Sequence, residues 1–445
     1  MNLKKTGIAS MAIVAAAALA ACSPGSLGST DDPTTSGSGA PAAEAVEITL
    51  LVDNSETSLI TSQAIVDGYN AAQDEVVVEI ESRPQGADGD NIVKTRLATD
   101  EMSDVFWYNS GSLLQALDPT STLVDLSGEA LVDRVDDTFK TAVSSGDAMF
   151  GVPVGQAMGG GILYNKAVYA DLGLEVPTTW DEFMANNEAI KAAGIDPVIQ
   201  SYGDTWTSQL FILADFYNVT AVEPDWAEQY TANQAKYVDE PALKGFQRLQ
   251  EVYEAGYVNE DFATAKLDQA LNQLVTGSGA HYPMLSFVIN TYVGLSDDAA
   301  ENIGFFAQPG DDASKNGLTA WTPAGLYIPK TTEGDQLEAA KKFVDWVATP
   351  EACDAQTAAV TPTGPYLVEG CELPDDLPAA VGDLQNYFDN GMASPALEFL
   401  SPVKGPNLEK ITVEVGSGIR SAADGAQLYD QDVEKQAQQL GLEGW

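Results

Sequence analysis

The sequence predicts an α/β protein whose folded part begins near Val46 and is long enough to form two lobes. Strand and helix patterns alternate from Val46 onward, which is typical of a parallel sheet covered by helices. Hydrophobic residues make up 44% of the chain. Residues 46–445 exceed the length of one small domain, so each lobe has enough apolar material for its own core.

The chain begins with the pattern of a cleavable leader. Lys4 and Lys5 precede an alanine-rich apolar segment, residues 8–21, which is typical of a secretory signal peptide and too short to span a bilayer well. Leu19-Ala20-Ala21-Cys22 then resembles the lipobox of bacterial lipoproteins, in which the signal is cut before a cysteine that becomes acylated. The alternative is an ordinary secretory signal that ends near a buried cysteine. We expect residues 1–21 to be a lipoprotein signal peptide and Cys22 to be the lipidation site.

Residues 22–45 are predicted to be the lipidated cysteine and a flexible tether. The segment "SPGSLGSTDDPTTSGSGAPAAEA" has one large apolar residue, Leu27, and cannot form a core. Acyl chains add roughly 0.8 kcal/mol of membrane affinity per buried methylene. We therefore expect an extracellular protein at the outer face of the bacterial cytoplasmic membrane, held there through the lipid anchor only.

The charge of the chain restricts its partners. The formal net charge is −45, from 66 acidic and 21 basic residues. Such a field repels nucleic acid and anionic lipid, and it disfavours an anionic ligand unless a local basic pocket exists. The sequence shows no basic cluster, so we expect no nucleic-acid partner and a neutral ligand.

Two cysteines remain when Cys22 is set aside. Cys353 and Cys371 flank a segment whose glycine and proline residues suggest a loop that returns on itself. An even pair in an oxidising compartment predicts a disulfide, and two buried free thiols are the alternative.

The first folded segments predict a ligand site at one edge of a sheet. The strands "VEITLLVDN", "EVVVEIES" and "SDVFWYNSG" are separated by helical patterns. Ligands of such sheets bind at the carboxyl ends of the strands. Polar and aromatic residues that lie at these ends are Asn54, Ser55, Trp107, Tyr108, Asn109 and Ser110. Hydroxyl partners together with an aromatic face suit a neutral polyhydroxyl ligand.

Residues 151–198 contain a second run of recognisable elements. "GGILYN" reads as a strand, and "KAVYADLG" as a short helix that ends at Gly173. A further helix begins after Thr179, which forms a capping-box pattern with Glu182. It ends at Gly194, and a strand follows.

This second run closely resembles the family 1 extracellular solute-binding proteins of ATP-driven sugar importers, to which maltose-binding protein belongs. The matching residues are Tyr164-Asn165-Lys166, Pro177, Thr179-Trp180-Asp181-Glu182-Phe183 and Ala192 to Pro197. Further segments in the family's order are "SDVFWYNSGSLLQAL", "LVTGSGAHYPMLSF", "GLYIPKTTEGDQLEAAKKFVDWVATPEA" and "GLEGW". The resemblance covers nearly the whole chain after the leader.

The resemblance implies a two-lobe, periplasmic-binding-protein-like fold with several hinge crossovers and the ligand in the interlobe cleft. Lobe one would comprise residues 46–154 and 322–360, and lobe two residues 155–321 and 361–445. The implied function is the substrate-binding component of an ABC importer, which captures a neutral oligosaccharide by lobe closure and delivers it to the transmembrane subunits of the permease. We expect a monomer.

Nine side chains are candidates for substrate binding, each with a structural role in a lobe as the alternative. The aromatic candidates for stacking against sugar rings are Trp107, Trp206, Phe287 and Trp321, and the hydrogen-bonding candidates are Asn54, Glu56, Asn109, Ser110 and Gln156. The segment 394–398 is a further candidate border of the cleft. Trp180 and Trp346 lie on helical faces beside phenylalanines and are expected in the core.

The sequence offers little support for catalysis. His281 is the one histidine, no nucleophile-elbow pattern accompanies it, and a histidine-rich zinc site is impossible. No phosphate-binding loop or dinucleotide fingerprint occurs in a suitable context, so we expect no cofactor, no metal and no enzyme activity. With 66 acidic residues, a surface glycoside hydrolase with paired carboxylates stays open as an alternative, as does a non-transport adhesion lipoprotein.

Overall fold

The apolar segments after Val46 form the strands and helices that their patterns predict. A computed structural model of the chain describes residues 45–442 and 444–445, without the side chains of Glu56 and Ala87. The predicted signal peptide, Cys22 and the tether up to residue 44 lie outside the described residues.

The strands, numbered in chain order, are β1 (Val46–Asp53), β2 (Val76–Arg83), β3 (Val105–Tyr108), β4 (Ser144–Ser145), β5 (Ala148–Met149), β6 (Gly151–Val154), β7 (Met158–Asn165), β8 (Asp196–Val198), β9 (Gly279–Leu285), β10 (Ile303–Ala307), β11 (Leu318–Trp321), β12 (Ala324–Tyr327) and β13 (Ala393–Pro395).

The α-helices are α1 (Glu56–Ala72), α2 (Gly86–Ala98), α3 (Ser112–Gln115), α4 (Pro119–Thr122), α5 (Asp137–Val143), α6 (Lys166–Leu172), α7 (Trp180–Ala192), α8 (Leu210–Leu213), α9 (Phe216–Val222), α10 (Trp226–Thr231), α11 (Leu243–Glu254), α12 (Leu267–Thr276), α13 (Ile289–Tyr292), α14 (Ala299–Asn302), α15 (Gly334–Val347), α16 (Pro350–Ala359), α17 (Ala379–Asp389), α18 (Leu397–Leu400), α19 (Leu408–Gly416) and α20 (Ala422–Gln439). Short 3₁₀ helices cover Ala130–Arg134, Thr205–Gln209, Ser286–Val288 and Ala313–Lys315.

The first lobe is built on a five-stranded sheet in the order β2-β1-β3-β12-β6. Strand β1 is parallel to β2 and to β3, with Leu50 paired to Val105, while β12 runs antiparallel to β3 and β6. The carboxyl ends of β1 and β3 therefore lie at the same edge. Helices α1 and α15 contribute Ile65 and Phe343 to the apolar core beside this sheet.

The second lobe is built on a sheet in the order β13-β11-β7-β9-β8, with β10 also paired to β7. Two local signals in the sequence are confirmed here. Gly173 ends α6 in the left-handed conformation at φ 65°, and Thr179 and Glu182 form the expected capping box at the start of α7. Trp180 is buried in the core of this lobe, as expected.

The chain crosses between the sheets at short segments. Residues 155–157 join β6 of the first sheet to β7 of the second, and residues 322–323 join β11 back to β12. The segment after α16 stays beside the first lobe, because Val368 pairs with Val135 and Leu367 belongs to the first core. Cys353 and Cys371 form a disulfide in this region, with their Cα atoms 5.9 Å apart. The fold is thus the expected two-lobe α/β architecture.

None of the helices in residues 45–442 combines the length and the apolar character that crossing a membrane requires.

Candidate functional site

A cavity of about 600 Å³ lies where the carboxyl ends of β1 and β3 face the second lobe. The two crossover segments and both lobes contribute to its wall. Side chains and backbone that line it belong to Asp53, Thr57, Ser58, Thr61, Trp107, Asn109, Ser110, Ser112, Leu113, Val154, Gly155, Gln156, Met158, Phe287, Asn290, Thr291, Trp321, Thr322, Pro323, Ala324, Val360, Thr363, Glu398 and Phe399.

The end of β1 and the first turns of α1 form one wall. Asp53 fixes the start of the helix, since its Oδ1 accepts from the Ser55 backbone N–H at 2.9 Å and its Oδ2 accepts from the Ser58 hydroxyl at 2.9 Å. Ser55 is the helix cap, and its side chain accepts from the Ser58 backbone N–H. Thr57 and Thr61 are four residues apart, so they share a face of α1 along the cavity.

The end of β3 ties the first lobe to a crossover segment. The Ser110 hydroxyl donates to the Pro323 carbonyl at 2.8 Å and lies 2.9 Å from the Thr322 hydroxyl. These bonds occupy the Ser110 side chain, which is buried. Trp107 is half-buried and Asn109 is exposed, so both retain surface toward the cavity. Tyr108 between them is buried, and burial raises the pKa of its hydroxyl, which therefore stays neutral.

Gly111 permits a close contact between the lobes. It has a φ of 69°, and a Cβ atom there would lie 2.6 Å from the Phe399 ring and 2.7 Å from the Glu398 carbonyl oxygen. Only glycine accommodates both the backbone conformation and this approach. Helix α18 of the second lobe can therefore rest against the end of β3.

The second lobe contributes the aromatic residues Phe287 and Trp321 to the lining. Trp321 is the last residue of β11 and covers Gly160, where a Cβ atom would lie 2.3 Å from the indole ring. Phe287, on the 3₁₀ helix after β9, is 37% exposed. Trp206 does not line the cavity; it packs against Phe287 with ring centroids 6.0 Å apart. The cavity therefore has aromatic surface from the first lobe at Trp107 and from the second at Phe287, whereas Trp321 borders it but is only 6% exposed.

The charged side chains of the lining are already engaged with protein groups. Asp53 caps α1, as described above. Glu398 Oε1 accepts from the Trp321 indole N–H at 2.6 Å, and its Oε2 accepts from the Lys404 ammonium at 2.8 Å. Because no basic side chain occurs among the lining residues, the cavity disfavours an anionic ligand.

The uncharged polar side chains of the cavity lining suit hydrogen bonding to a neutral ligand. Asn109, Asn290, Thr291 and Thr363 line it, and the amide nitrogen of Gln156 is buried without a partner among the described residues. Hydroxyl and amide groups both donate and accept, as sugar hydroxyls do.

Six of the nine candidate side chains predicted from the sequence line this cavity: Trp107, Asn109, Ser110, Gln156, Phe287 and Trp321. Asn54 is exposed and does not line it, and the side chain of Glu56 is not among those described.

Sequence reasoning missed the hydroxyl face of α1, Asn290, Thr291 and Phe399. The spacing of Thr57, Ser58 and Thr61 after a strand end could have indicated the hydroxyl face of α1. The position of Phe399 depends on contact with Gly111, which lies far away in the sequence.

The structure gives His281 a structural role. It is buried on β9, 2.7 Å from the Tyr169 hydroxyl through Nε2 and 2.9 Å from the Asn187 side-chain oxygen through Nδ1. Burial lowers the pKa of the imidazole to about 3. Among the described residues, no group of three or more His, Cys, Asp or Glu side chains is arranged to hold a metal ion.

Another cavity, of about 570 Å³, lies on the second lobe beside α9 and α11. Its lining includes the buried ion pair of Arg248 and Asp215, and Arg248 also bonds Asp311 at 3.0 Å. It lies away from the strand ends of the first lobe and its lining has no aromatic residue. We therefore take the interlobe cavity as the candidate functional site.

Comparison with known proteins finds the same two-lobe architecture in other solved structures. The multiple sugar-binding protein of Streptococcus mutans is 25% identical over 297 residues, which cover 66% of this chain and 69% of that protein. A solved chitin oligosaccharide binding protein superposes with a TM-score of 0.70 at 20% identity, over 89% of this chain and 100% of that one. The binding protein RafE in complex with raffinose superposes with a TM-score of 0.68 at 19% identity, over 87% of this chain and 100% of that one.

A family model agrees with the resemblance found in the sequence. The model described as bacterial extracellular solute-binding protein matches residues 54–352. Proteins of this family bind solutes and are not enzymes, in agreement with the sequence-based prediction. The chain therefore belongs to the family of bacterial extracellular solute-binding proteins.

Proposed function

We propose that this protein is the substrate-binding component of an ABC importer and that it captures a neutral oligosaccharide in the interlobe cavity. The observation that carries the proposal is the pairing of aromatic surface from opposite lobes, Trp107 on one side and Phe287 on the other, with the largely buried Trp321 at the border of the same cavity. Sugar rings present apolar faces that stack on such surfaces, while their hydroxyls need hydrogen-bonding partners. The sugar ligands named for the related proteins support this class.

The two short crossovers at 155–157 and 322–323 are the proposed hinges. Lobe one then comprises residues 46–154 and 322 to about 371, and lobe two the remainder up to residue 445. This differs from the boundary at residue 360 expected from the sequence, because Leu367 and Val368 contact the first lobe. Closure around the sugar would present a surface formed by both lobes to the permease.

We further propose that Cys22 is acylated and holds the protein at the outer face of the cytoplasmic membrane. The support is the order of Lys4 and Lys5, the apolar segment and the lipobox-like Leu19-Ala20-Ala21-Cys22. The low-complexity residues up to 45 would provide reach toward the permease.

Calorimetric titration of purified protein with defined neutral oligosaccharides tests the proposal. We expect binding without release of reducing ends, and we expect Trp107→Ala to weaken the affinity by about tenfold or more, since a stacking face is lost. Trp346→Ala is the matched control, because this half-buried indole packs against Tyr69 in the first lobe and does not line the cavity. Release of reducing ends would favour a glycoside hydrolase, and absence of binding to every sugar would refute the proposed function.

A further inference from the structure

The first crossover segment, residues 155–157, is hydrogen-bonded at both of its ends to the part of the chain that follows α15. The Gly155 backbone N–H donates to the side-chain oxygen Oε1 of Gln356 at 2.9 Å. The Ala157 backbone N–H donates to the Pro365 carbonyl at 2.8 Å. Gln156, which lines the cavity, therefore lies between two backbone amides that are both held in place.

The groups that hold this crossover belong to the first lobe. Gln356 lies on α16, which packs on α1, and it is only 2% exposed. Its amide nitrogen donates to the Ala352 carbonyl one turn earlier, at 3.2 Å, so the orientation of the amide is fixed. Pro365 comes shortly before Leu367, and both Leu367 and Ala157 are buried in the core of the first lobe.

The backbone segments approach each other closely at Ala157. A Cβ atom at Gly364 would lie 2.0 Å from the Ala157 carbonyl oxygen, so this approach requires glycine. The Tyr366 hydroxyl lies 2.8 Å from the Thr357 hydroxyl, which ties the same segment to α16. The first crossover is therefore held by a connected part of the first lobe.

The hydrogen bonds change lobe immediately after Ala157. The Gly159 backbone N–H donates at 3.1 Å to the hydroxyl of Ser286, on the 3₁₀ helix that follows β9 in the second lobe. Met158 is the residue between the bond to the first lobe and the bond to the second. Rotation of one lobe against the other can therefore be absorbed by the backbone at Met158.

The other crossover has the same arrangement. Ser110, at the end of β3 in the first lobe, donates to the Pro323 carbonyl and lies within hydrogen-bonding distance of the Thr322 hydroxyl. Trp321, the preceding residue, ends β11 in the second sheet and is paired there with Met158 of β7. The two points at which the contacts change lobe thus lie side by side on neighbouring strands.

We propose that Gln356 is a positioning residue for ligand binding. It holds the first crossover to the first lobe, so that Gln156 belongs to the first-lobe wall of the cavity and the lobes rotate about Met158 and Trp321. Gln356 does not line the cavity and acts through the Gly155 backbone. A backbone that is already held lowers the cost of ordering Gln156 against a ligand. This inference rests on the proposed function and narrows the proposed hinges to one residue on each strand.

A double-mutant cycle on sugar affinity tests this role. Isothermal titration is carried out with maltotriose, raffinose and chitotriose, and the cycle uses the sugar that binds. We expect Gln156→Ala to weaken the affinity about tenfold and Gln356→Met about fivefold, as loss of a hydrogen bond or of its positioning would produce. The double variant should bind no more weakly than Gln156→Ala alone, because Gln356 acts through Gln156.

Two further variants of α16 separate positioning from a general effect on the helix. Gln356→Glu keeps an oxygen that can accept from the Gly155 N–H, and it should recover most of the affinity that Gln356→Met loses. Glu351→Gln, at an exposed position of the same helix, is the matched control and should bind like the wild-type protein. Thermal melting of each variant shows that it is folded.

Hydrogen exchange and crystallography test the hinge without relying on affinity. In the protein without sugar, Gln356→Met should accelerate amide exchange in a peptide that covers residues 155–157, whereas Glu351→Gln should not. In crystal structures with and without the sugar, the bonds from Gly155 to Gln356 and from Ala157 to Pro365 should persist, while the backbone angles at Met158 and Trp321 should differ.

Several outcomes would overturn the inference and leave the proposed function intact. Additive losses in the cycle would show that Gln356 acts elsewhere, as would wild-type affinity of Gln356→Met or of Gln156→Ala. A loss that Gln356→Glu does not recover, unchanged exchange at residues 155–157, or breakage of either backbone bond on closure would also overturn it. Absence of binding to every sugar would instead overturn the proposed function itself.

Discussion

The indole nitrogen of Trp321 donates a hydrogen bond to Glu398 Oε1 at 2.6 Å, and the other carboxylate oxygen of Glu398 accepts from Lys404 at 2.8 Å. Trp321 ends strand β11 immediately before a crossover segment, whereas Glu398 lies on α18, which contacts the first lobe at Gly111. The Glu398 carboxylate therefore holds the Trp321 indole at the cavity, and it does so from α18, the helix that contacts the first lobe.

The first prediction concerns this carboxylate. Glu398→Ala leaves the buried indole N–H without its acceptor and should weaken oligosaccharide binding about tenfold, within the range for a hydrogen bond to a charged group. Glu398→Gln keeps an oxygen for Trp321 and should lose clearly less affinity in calorimetric titration. If both variants bind the oligosaccharide equally weakly, the affinity depends on the ion pair between Glu398 and Lys404 and not on the orientation of Trp321.

The second prediction concerns Phe287 and Trp206, which pack against each other. Phe287 lines the cavity, so Phe287→Ala should weaken binding about tenfold through loss of a stacking surface. Trp206 only supports that ring from behind, and Trp206→Ala should have a smaller effect, on the order of threefold. A larger loss for Trp206→Ala than for Phe287→Ala would mean that the indole itself contacts the sugar.

Trp180 provides the contrasting case of an indole in the core. It packs against Phe183 and Phe211, and its N–H donates to Glu251 at 2.7 Å. Trp180→Ala should lower the free energy of unfolding by about 3–5 kcal/mol, because a large cavity forms. Denaturant unfolding measures this, and the folded fraction should still bind the oligosaccharide. Unchanged stability would place Trp180 outside the core.

The sequence predicted those features that local patterns determine. Strand β1, helix α1 and strand β2 follow from alternating and helical apolar spacing, and the capping box at Thr179 is complete within four residues. Six cavity residues followed from their position at strand ends or from the family resemblance. The contact of Phe399 with Gly111 could not be predicted, because it joins distant segments whose approach is set by the packing of both lobes. The course of the segment after α16 depends likewise on the bridge between Val135 and Val368.

The third prediction concerns the disulfide between Cys353 and Cys371, which are 18 residues apart in the sequence. Closing a loop of this size should contribute about 3 kcal/mol to the free energy of unfolding in the chain-entropy model. Reduction should lower the denaturation midpoint, and it should also weaken binding, since Val360 and Thr363 lie in this loop and line the cavity. The Cys353→Ala/Cys371→Ala double variant is the control and should not respond to reductant. Two free thiols in the unfolded, unreduced protein would show that the disulfide is absent.

The fourth prediction concerns membrane attachment. Cys22→Ala removes the proposed acylation site, and we expect the variant to appear in the medium as free protein with unchanged sugar affinity. Fractionation after a high-salt wash, followed by mass spectrometry of the mature amino terminus, measures this. Ser23→Ala, which leaves the cysteine intact, is the matched control and should stay with the membrane. Retention of the Cys22→Ala variant would show that another feature of the chain holds it there.

The last prediction concerns the stability of the second lobe at low pH. His281 is buried beside Tyr169 and Asn187, and burial lowers the pKa of its imidazole from 6.5 to about 3. The unfolded chain takes up a proton below about pH 6.5, while the folded protein does not until about pH 3, so the unfolded state binds more protons over this interval. The contribution of His281 to stability is therefore complete above pH 6.5 and is lost as the pH falls toward 3. Each pH unit in this interval should lower the free energy of unfolding by about 1.4 kcal/mol from this residue alone.

The variant His281→Gln keeps polar atoms in the site but cannot take up this proton. Its free energy of unfolding should therefore depend less steeply on pH when denaturant curves are measured from about pH 6 to pH 4. Parallel curves for the two proteins would show that the imidazole becomes protonated in the folded state.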